Sequence, residues 1–234
     1  MKNIVTLSHF AVLPPTNGGT IRMYNLYLHL EDKYKFHHYC VSLRSPFIKK
    51  SSFHGFIVNY MFFPFCTIVA FPFWLMHIPY GFIFRYTFLL GKLPKELDNV
   101  LSNSDLIIIE EPHLFKWIHK RYPYKLFILN THNVQYDLEI QNFKSYNPLL
   151  KKIVKNAIKN MESYAVRNAN KITAVSELDK KTLIDLYKIN KNIVTVVPNG
   201  CNLIQKLNKN EREKLRKFLM EESGFNFDKL IFFI

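Results

Sequence analysis

Apolar residues fall along this chain in short continuous runs, separated by stretches with helical spacing. Asn3–Leu7 (NIVTL), Leu106–Ile109 (LIII), Leu126–Leu129 (LFIL), Ile172–Val175 and Ile193–Val197 read as buried strands. A strand with one wet face would alternate polar and apolar residues, and these do not. His38–Leu43 is also strand-like. Helical spacing follows the first strand, with Ile21, Tyr24 and Leu28 on one face and Leu26 and Leu30 widening it. From Leu149 to Arg167, residues Leu150, Ile153, Ala157, Met161 and Tyr164 form another stripe. Ser176 is placed to cap a helix running to about Tyr187, with Asp179 in its first turn, where a carboxylate suits the helix dipole. Strand and helix alternate, which predicts an α/β fold: a Rossmann-like parallel sheet with helices on both faces. Right-handed crossovers then gather the loops after the strands along one edge, where ligands bind in such sheets.

One stretch departs from this rhythm. Ser51 to Phe84 carries no Asp, Glu, Lys or Arg, is dense in Phe and Tyr, and is broken by Pro64, Pro72 and Pro79. Its longest proline-free apolar piece is shorter than the roughly 20 residues of a membrane span. Buried or partly exposed amphipathic helices, a helical hairpin dipping into a bilayer, and a single kinked span are the readings left open, with the first two ahead. Asn208–Glu222 reads as a charged helix or linker, and Leu230–Ile234 as an apolar strand. These divide the chain into a domain over 1–205 and the linker helix and opening strand of a further, incomplete domain over 206–234.

Composition narrows the class. With 234 residues, 48% of them hydrophobic, the chain can bury a full core, which excludes disorder. The net charge of +14 predicts an anionic partner, whether nucleic acid, an anionic membrane surface or a phosphorylated substrate. Lys151, Lys155 and Lys159 make a basic stripe with Lys152 beside it, read either as solvated helix surface or as a membrane-facing strip. No nucleic-acid signature accompanies the charge, so nucleic acid is not the expected partner. Cys40, Cys66 and Cys201 are far apart, and their spacing supports neither a metal site nor a disulfide framework. Ile4–Leu7 is too short for a secretory leader, so the cytoplasm is the expected compartment.

Candidate chemistry sits where the predicted strands end. Gly18 and Gly19 lie between the first strand and its helix, where small residues and unpaired N–H groups let a phosphate approach. No third glycine completes a dinucleotide fingerprint, and no Gly-Lys-Ser/Thr completes a Walker loop. Arg22, one turn into the helix, is read either as a further contact to that anion or as a solvated side chain. Asn130-Thr131-His132-Asn133 follows the strand Leu126–Leu129, which puts His132 and Asn133 at the ligand edge, as sugar contacts or as plain loop caps. Glu110 and Glu111 leave the strand Leu106–Ile109 in the same way, either binding hydroxyls or merely opening the next helix. Asn199 and Gly200 after Ile193–Val197 favour a tight reversal with positive φ and mark where the chain leaves the sheet.

In this order the pieces TNGGTIRMYNL (16–26), NTHNVQYDLE (130–139), ESYAVRNANKITAVSELDKKTL (162–183) and VVPNGCN (196–202) resemble the N-terminal half of a glycosyltransferase of family four, built on the GT-B fold. The resemblance implies a retaining transfer of a hexosyl unit from a nucleotide-sugar to a glycan or lipid-linked acceptor, without metal or cofactor. It implies that His132 contacts the transferred sugar near its anomeric carbon. Gly18 and Gly19 would approach the donor phosphates and the acceptor, and Asn199–Gly200 would be the interdomain hinge. Donor nucleotide is held chiefly by the second domain in such enzymes, so the chain alone is expected to be inactive. It would act with a separate C-terminal half or derive from a truncated or split enzyme, and attach, if at all, peripherally at the inner face of the cell membrane. A non-catalytic binding or scaffold domain derived from such an enzyme is the alternative, with a basic nucleic-acid-binding protein behind it.

Overall fold

In the computed structural model of the chain, the described residues are 1–28, 30, 33–42, 50–62, 68, 71, 93–142, 148–200 and 209–223. They form eight strands: β1 (Asn3–Ser8), β2 (Lys35–Ser42), β3 (Lys50–Phe53), β4 (Phe56–Phe62), β5 (Leu106–Glu110), β6 (Phe127–Asn130), β7 (Lys171–Ala174) and β8 (Val194–Val196). The helices are α1 (Gly18–Leu28), α2 (Lys95–Ser102), α3 (Phe115–Arg121), α4 (Gln135–Asn142), α5 (Pro148–Asn168), α6 (Glu177–Tyr187) and α7 (Lys209–Ser223). One sheet holds all eight strands in the order β3-β4-β2-β1-β5-β6-β7-β8, parallel throughout except for the β3–β4 pair.

Alternate residues of β1 divide the interior into two cores, as the strand's period of two requires. Ile4 joins Met23 and Tyr27 of α1, together with Cys40, Phe56, Val58 and Ile108. Val5 and Leu7 face the other way, into a larger core with Leu97 and Leu101 of α2, Phe115 and Ile118 of α3, Ala165 and Val166 of α5, and Leu183 and Tyr187 of α6. Helices therefore cover both faces, as the continuous apolar runs require. The strand order turns at β1: the chain first builds outward through β2 and β4, then resumes on β1's other side with β5. In open sheets of this kind, the crevice beyond the C-terminal ends of the two strands at that turning point is where ligands bind.

Several element details differ from the sequence reading. Residues 51–62, expected as helix, form β3 and β4, joined through His54 and Gly55, both at positive φ. The hairpin is stable because β4 continues the parallel sheet beside β2 and buries Phe56 and Val58 there. Of the remainder of that aromatic stretch only Ile68 and Phe71 are described, so its membrane readings lie outside the described residues. In α1 the buried face is Thr20, Arg22, Met23 and Tyr27, while Ile21 is exposed, because the helix turns a polar network toward the sheet edge. In α5 the buried stripe is Val154, Ala157, Ile158, Met161, Ala165 and Val166, and Ile153 faces outward with Leu149. Ser176 caps α6 as expected: its Oγ accepts from the Asp179 N–H at 3.1 Å.

The chain divides into two compact units, Met1–Asn199 and Gly200–Ile234. In the second, α7 is described and Leu230–Ile234 lies outside the described residues. No helix among the described residues is long and apolar enough to cross a membrane.

Candidate functional site

Three strand exits and one helix start meet beside the turning point of the sheet. Asn17 begins α1 with a reciprocal cap. Its Oδ1 accepts the Thr20 N–H at 3.1 Å, while its own N–H donates to Thr20 Oγ1 at 3.0 Å. Gly18 and Gly19 are the first two residues of the helix, where backbone N–H groups have no intrahelical acceptor. A Cβ on Gly19 would stand 3.4 Å from His132 Nδ1, so a side chain there would sit against the imidazole, whereas a Cβ on Gly18 would meet nothing within 4 Å. The double glycine and His132 are thus neighbours.

Behind His132 lies a buried carboxylate. Glu110 is the last residue of β5, and its register partner on β6 is Asn130. Glu110 Oε2 is 2.7 Å from His132 Nε2 and accepts from Asn130 Nδ2 at 2.8 Å, and the Tyr27 hydroxyl donates to its Oε1. Asn130 Oδ1 accepts in turn from the Thr173 hydroxyl on β7. Glu110 is fully buried with both oxygens engaged, which makes it a support for the imidazole from behind. Burial acts to lower the His132 pKa. The hydrogen bond and charge of Glu110, helped by Glu111, outweigh it and hold the imidazole above its ordinary value. A protonated ring donates through Nε2 to Glu110 and keeps Nδ1, which has no partner in the structure, directed at the space beside Gly19.

Glu111 shows why this corner is built rather than incidental. Its backbone lies at φ 66° and ψ 159°, a region essentially reserved for glycine that costs about 1–3 kcal/mol. That turn lets its N–H donate to the Asn130 carbonyl at 3.0 Å and its Oε1 accept the His132 N–H at 2.8 Å. Oε2 is buried without a partner, and burial pushes the carboxyl up to about 7. Glu111 therefore holds the His132 backbone while Glu110 holds its ring.

Arg22 completes the group. It is 5% exposed, and its Nη1 donates to Asn199 Oδ1 at 2.9 Å, while Nε and Nη2 have no partner. Burial depresses its pKa against the opposing charges of Glu110, Tyr27 and Glu111. A buried guanidinium with two unused donors beside a helix start suits an anion. Asn199 enters the site through that hydrogen bond. Neither it nor Gly200 adopts the positive φ expected of an Asn-Gly reversal. Asn133 is exposed on the loop after His132, and a Cβ on Gly200 would meet nothing within 4 Å.

Sequence reading named Gly18, Gly19, Arg22, Glu110, Glu111 and His132, and the structure brings these six together. It missed Tyr27, and also Phe10, whose ring meets His132 edge-on at 5.8 Å between centroids. It also missed Glu162 as a support. This buried side chain of α5 accepts from the Gln135 and Tyr136 N–H groups at 2.7 and 3.0 Å and from the Tyr187 hydroxyl at 2.5 Å. Those two amides open α4 directly after the His132 loop, so Glu162 is its N-terminal cap from a distance. The one sequence signal was a lone acid on the inner face of a lysine-rich helix.

The profile of Glycosyltransferase Family 4 matches residues 16–205. Among solved structures, sucrose-phosphate synthase from Thermosynechococcus elongatus shares 11% identity at a TM-score of 0.56, covering 97% of this chain and 54% of that one. HepE of Anabaena, solved with UDP and glucose, shares 13% identity at a TM-score of 0.54, covering 94% and 50%. At such identity these likenesses establish the fold, a half of the GT-B architecture, and the chain spans about half the length of both structures. No curated protein sequence matches the chain.

Proposed function

Since the chain belongs to glycosyltransferase family 4, we propose that it is the acceptor-side half of a retaining glycosyltransferase that moves a hexosyl unit from a nucleotide-sugar to a glycan or lipid-linked acceptor. The observation that carries this reading is the apposition of Gly19 and His132, with Nδ1 unpartnered and Glu110 behind the ring. A donor diphosphate is negative, and the Gly18–Gly19 helix start with the unused donors of Arg22 offers it positive potential. The transferred sugar then lies against His132, whose Nδ1–H is placed to hydrogen-bond a hydroxyl or charge near the reacting carbon. Fixed donors of this kind stabilise developing charge without reorganising during reaction.

Nucleotide recognition belongs to a second domain in this reading, so the 234 residues alone are inactive and turnover needs a C-terminal half. Asn199–Gly200 acts as the hinge between them. The basic charge supports work at an anionic surface, and with it a lipid-linked acceptor and peripheral attachment at the inner face of the membrane. The test is a panel of nucleotide-sugars offered to the tagged chain purified with its native companions. Nucleotide release coupled to a product of retained anomeric configuration is expected. Inversion, or absence of turnover from every donor, overturns the reading.

A further inference from the structure

The first half of α5 makes a surface that the site does not use. Its outward face carries Leu149, 69% exposed, and Ile153, 45% exposed. Lys151, Lys155 and Lys159 run along one flank at four-residue spacing, and Lys152 sits on the outward face. Between Pro148 and Met161 the helix has four lysines and no acid. Among the described residues none of the four meets a carboxylate in an ion pair, although Lys159 Nζ lies 5.5 Å from the Tyr136 ring centroid. Lys151, Lys152 and Lys155, with Tyr136, Pro148 and Asn156, line an open cavity of about 320 Å³.

We propose that this cavity and the Leu149–Ile153 strip beside it dock the chain on an anionic phospholipid bilayer, the cavity taking a headgroup phosphate and the two apolar side chains entering the acyl boundary. Charge alone would serve any polyanion. The apolar pair outside the lysines is what a bilayer rewards and a solvated nucleic acid does not, since a helix at an interface buries apolar residues beneath a basic flank. Placement relates the surface to the active site. Tyr136 lies four residues beyond His132, on the helix that follows the site loop. Helix α5 runs back toward the start of β7, so its lysine-rich half lies toward the C-terminal edge of the sheet, where His132 is. Docking there brings a lipid-borne acceptor toward His132, an addition that rests on the lipid-linked acceptor reading.

The test is co-sedimentation of the whole chain with vesicles of phosphatidylcholine and phosphatidylglycerol at low salt, against pure phosphatidylcholine. Binding to the anionic vesicles alone is expected. A Lys151→Gln/Lys155→Gln pair is expected to weaken it about 30-fold, from the interfacial contribution of each lysine. A Lys180→Gln/Lys181→Gln pair on α6 removes the same charge elsewhere and is expected to leave binding nearly intact. Leu149→Ser/Ile153→Ser keeps all charge, and is expected to weaken vesicle binding while leaving heparin binding unchanged. Equal loss from both lysine pairs, no effect of the serine pair, or no vesicle binding overturns the proposal. Transfer to a soluble acceptor is expected to survive both α5 pairs in the native assembly. A wild-type chain that transfers sugar but binds no anionic vesicles refutes this surface alone, and one that docks without transfer refutes only the enzyme reading.

Discussion

At the scale of single residues, the site rests on two adjacent glutamates with opposite tasks. Glu110 accepts from three side chains and favours a protonated His132, whereas Glu111 bears a strained backbone and an unpartnered oxygen. Replacing Glu110 with Gln removes the charge that holds the imidazole up, so the His132 titration midpoint, followed by NMR, is expected to fall. An unmoved midpoint contradicts the support role. For Glu111 the sign runs the other way from a salt-bridged acid. Its folded value of about 7 stands above the ordinary 4.5, so ionisation is disfavoured in the fold. The penalty is absent below pH 4.5, grows as pH rises to 7, and levels above it, approaching about 3 kcal/mol. His132 acts in the same direction, because stability from its raised value is lost as pH climbs through the folded midpoint. His9 and His113, held below their ordinary values by burial, add stability as pH rises, so the readout is the difference between variant and wild type: Glu111→Gln is expected to gain on wild type in denaturant unfolding between pH 4.5 and 7. A difference that stays flat across that range contradicts the assignment.

Among the elements, α4 and its remote cap decide how firmly the His132 loop is held. Glu162→Ala leaves two helix-opening amides and the Tyr187 hydroxyl without their acceptor, and is expected to cost about 3 kcal/mol in thermal or denaturant unfolding. A loss below about 1 kcal/mol, the scale of one ordinary hydrogen bond, shows the cap to be incidental. That cap also marks where sequence reading stops. The strands were legible because β1, β5 and β6 lie under helices on both faces and so carry unbroken apolar runs. Cap and motif positions such as Ser176 and Gly18–Gly19 were legible because they act locally. Helix phase was not, since Ile21 and Ile153 point outward while Arg22 and Glu162 point inward, an exchange that only tertiary hydrogen bonding explains. The β3–β4 hairpin escaped notice for a similar reason: its uncharged aromatic residues carry no period, and its pairing partner β2 is distant in sequence until β4 arrives. Glu110 and Glu111 could be placed at the sheet edge, but their division of labour depends on Asn130, which strand register sets beside Glu110, and on Tyr27, which the packing of α1 brings there.

The molecule as a whole is a parallel α/β unit whose chain reverses its direction of growth between β1 and β5, and that reversal gathers Phe10, Glu110, Glu111 and His132 at one edge. Its length matches about half of the structures it resembles, and its clustered buried polar groups lie at that edge. Under the proposed function such a half supplies the acceptor-side wall of a cleft, leaving nucleotide recognition to a partner domain. The most direct measurement is the glycosyl transfer rate of the tagged chain in its native assembly, wild type against His132→Ala, with folding checked by circular dichroism. A loss of about 100-fold or more, the scale of one lost transition-state donor, is expected with the fold intact. Transfer by the His132→Ala chain at the wild-type rate contradicts the account.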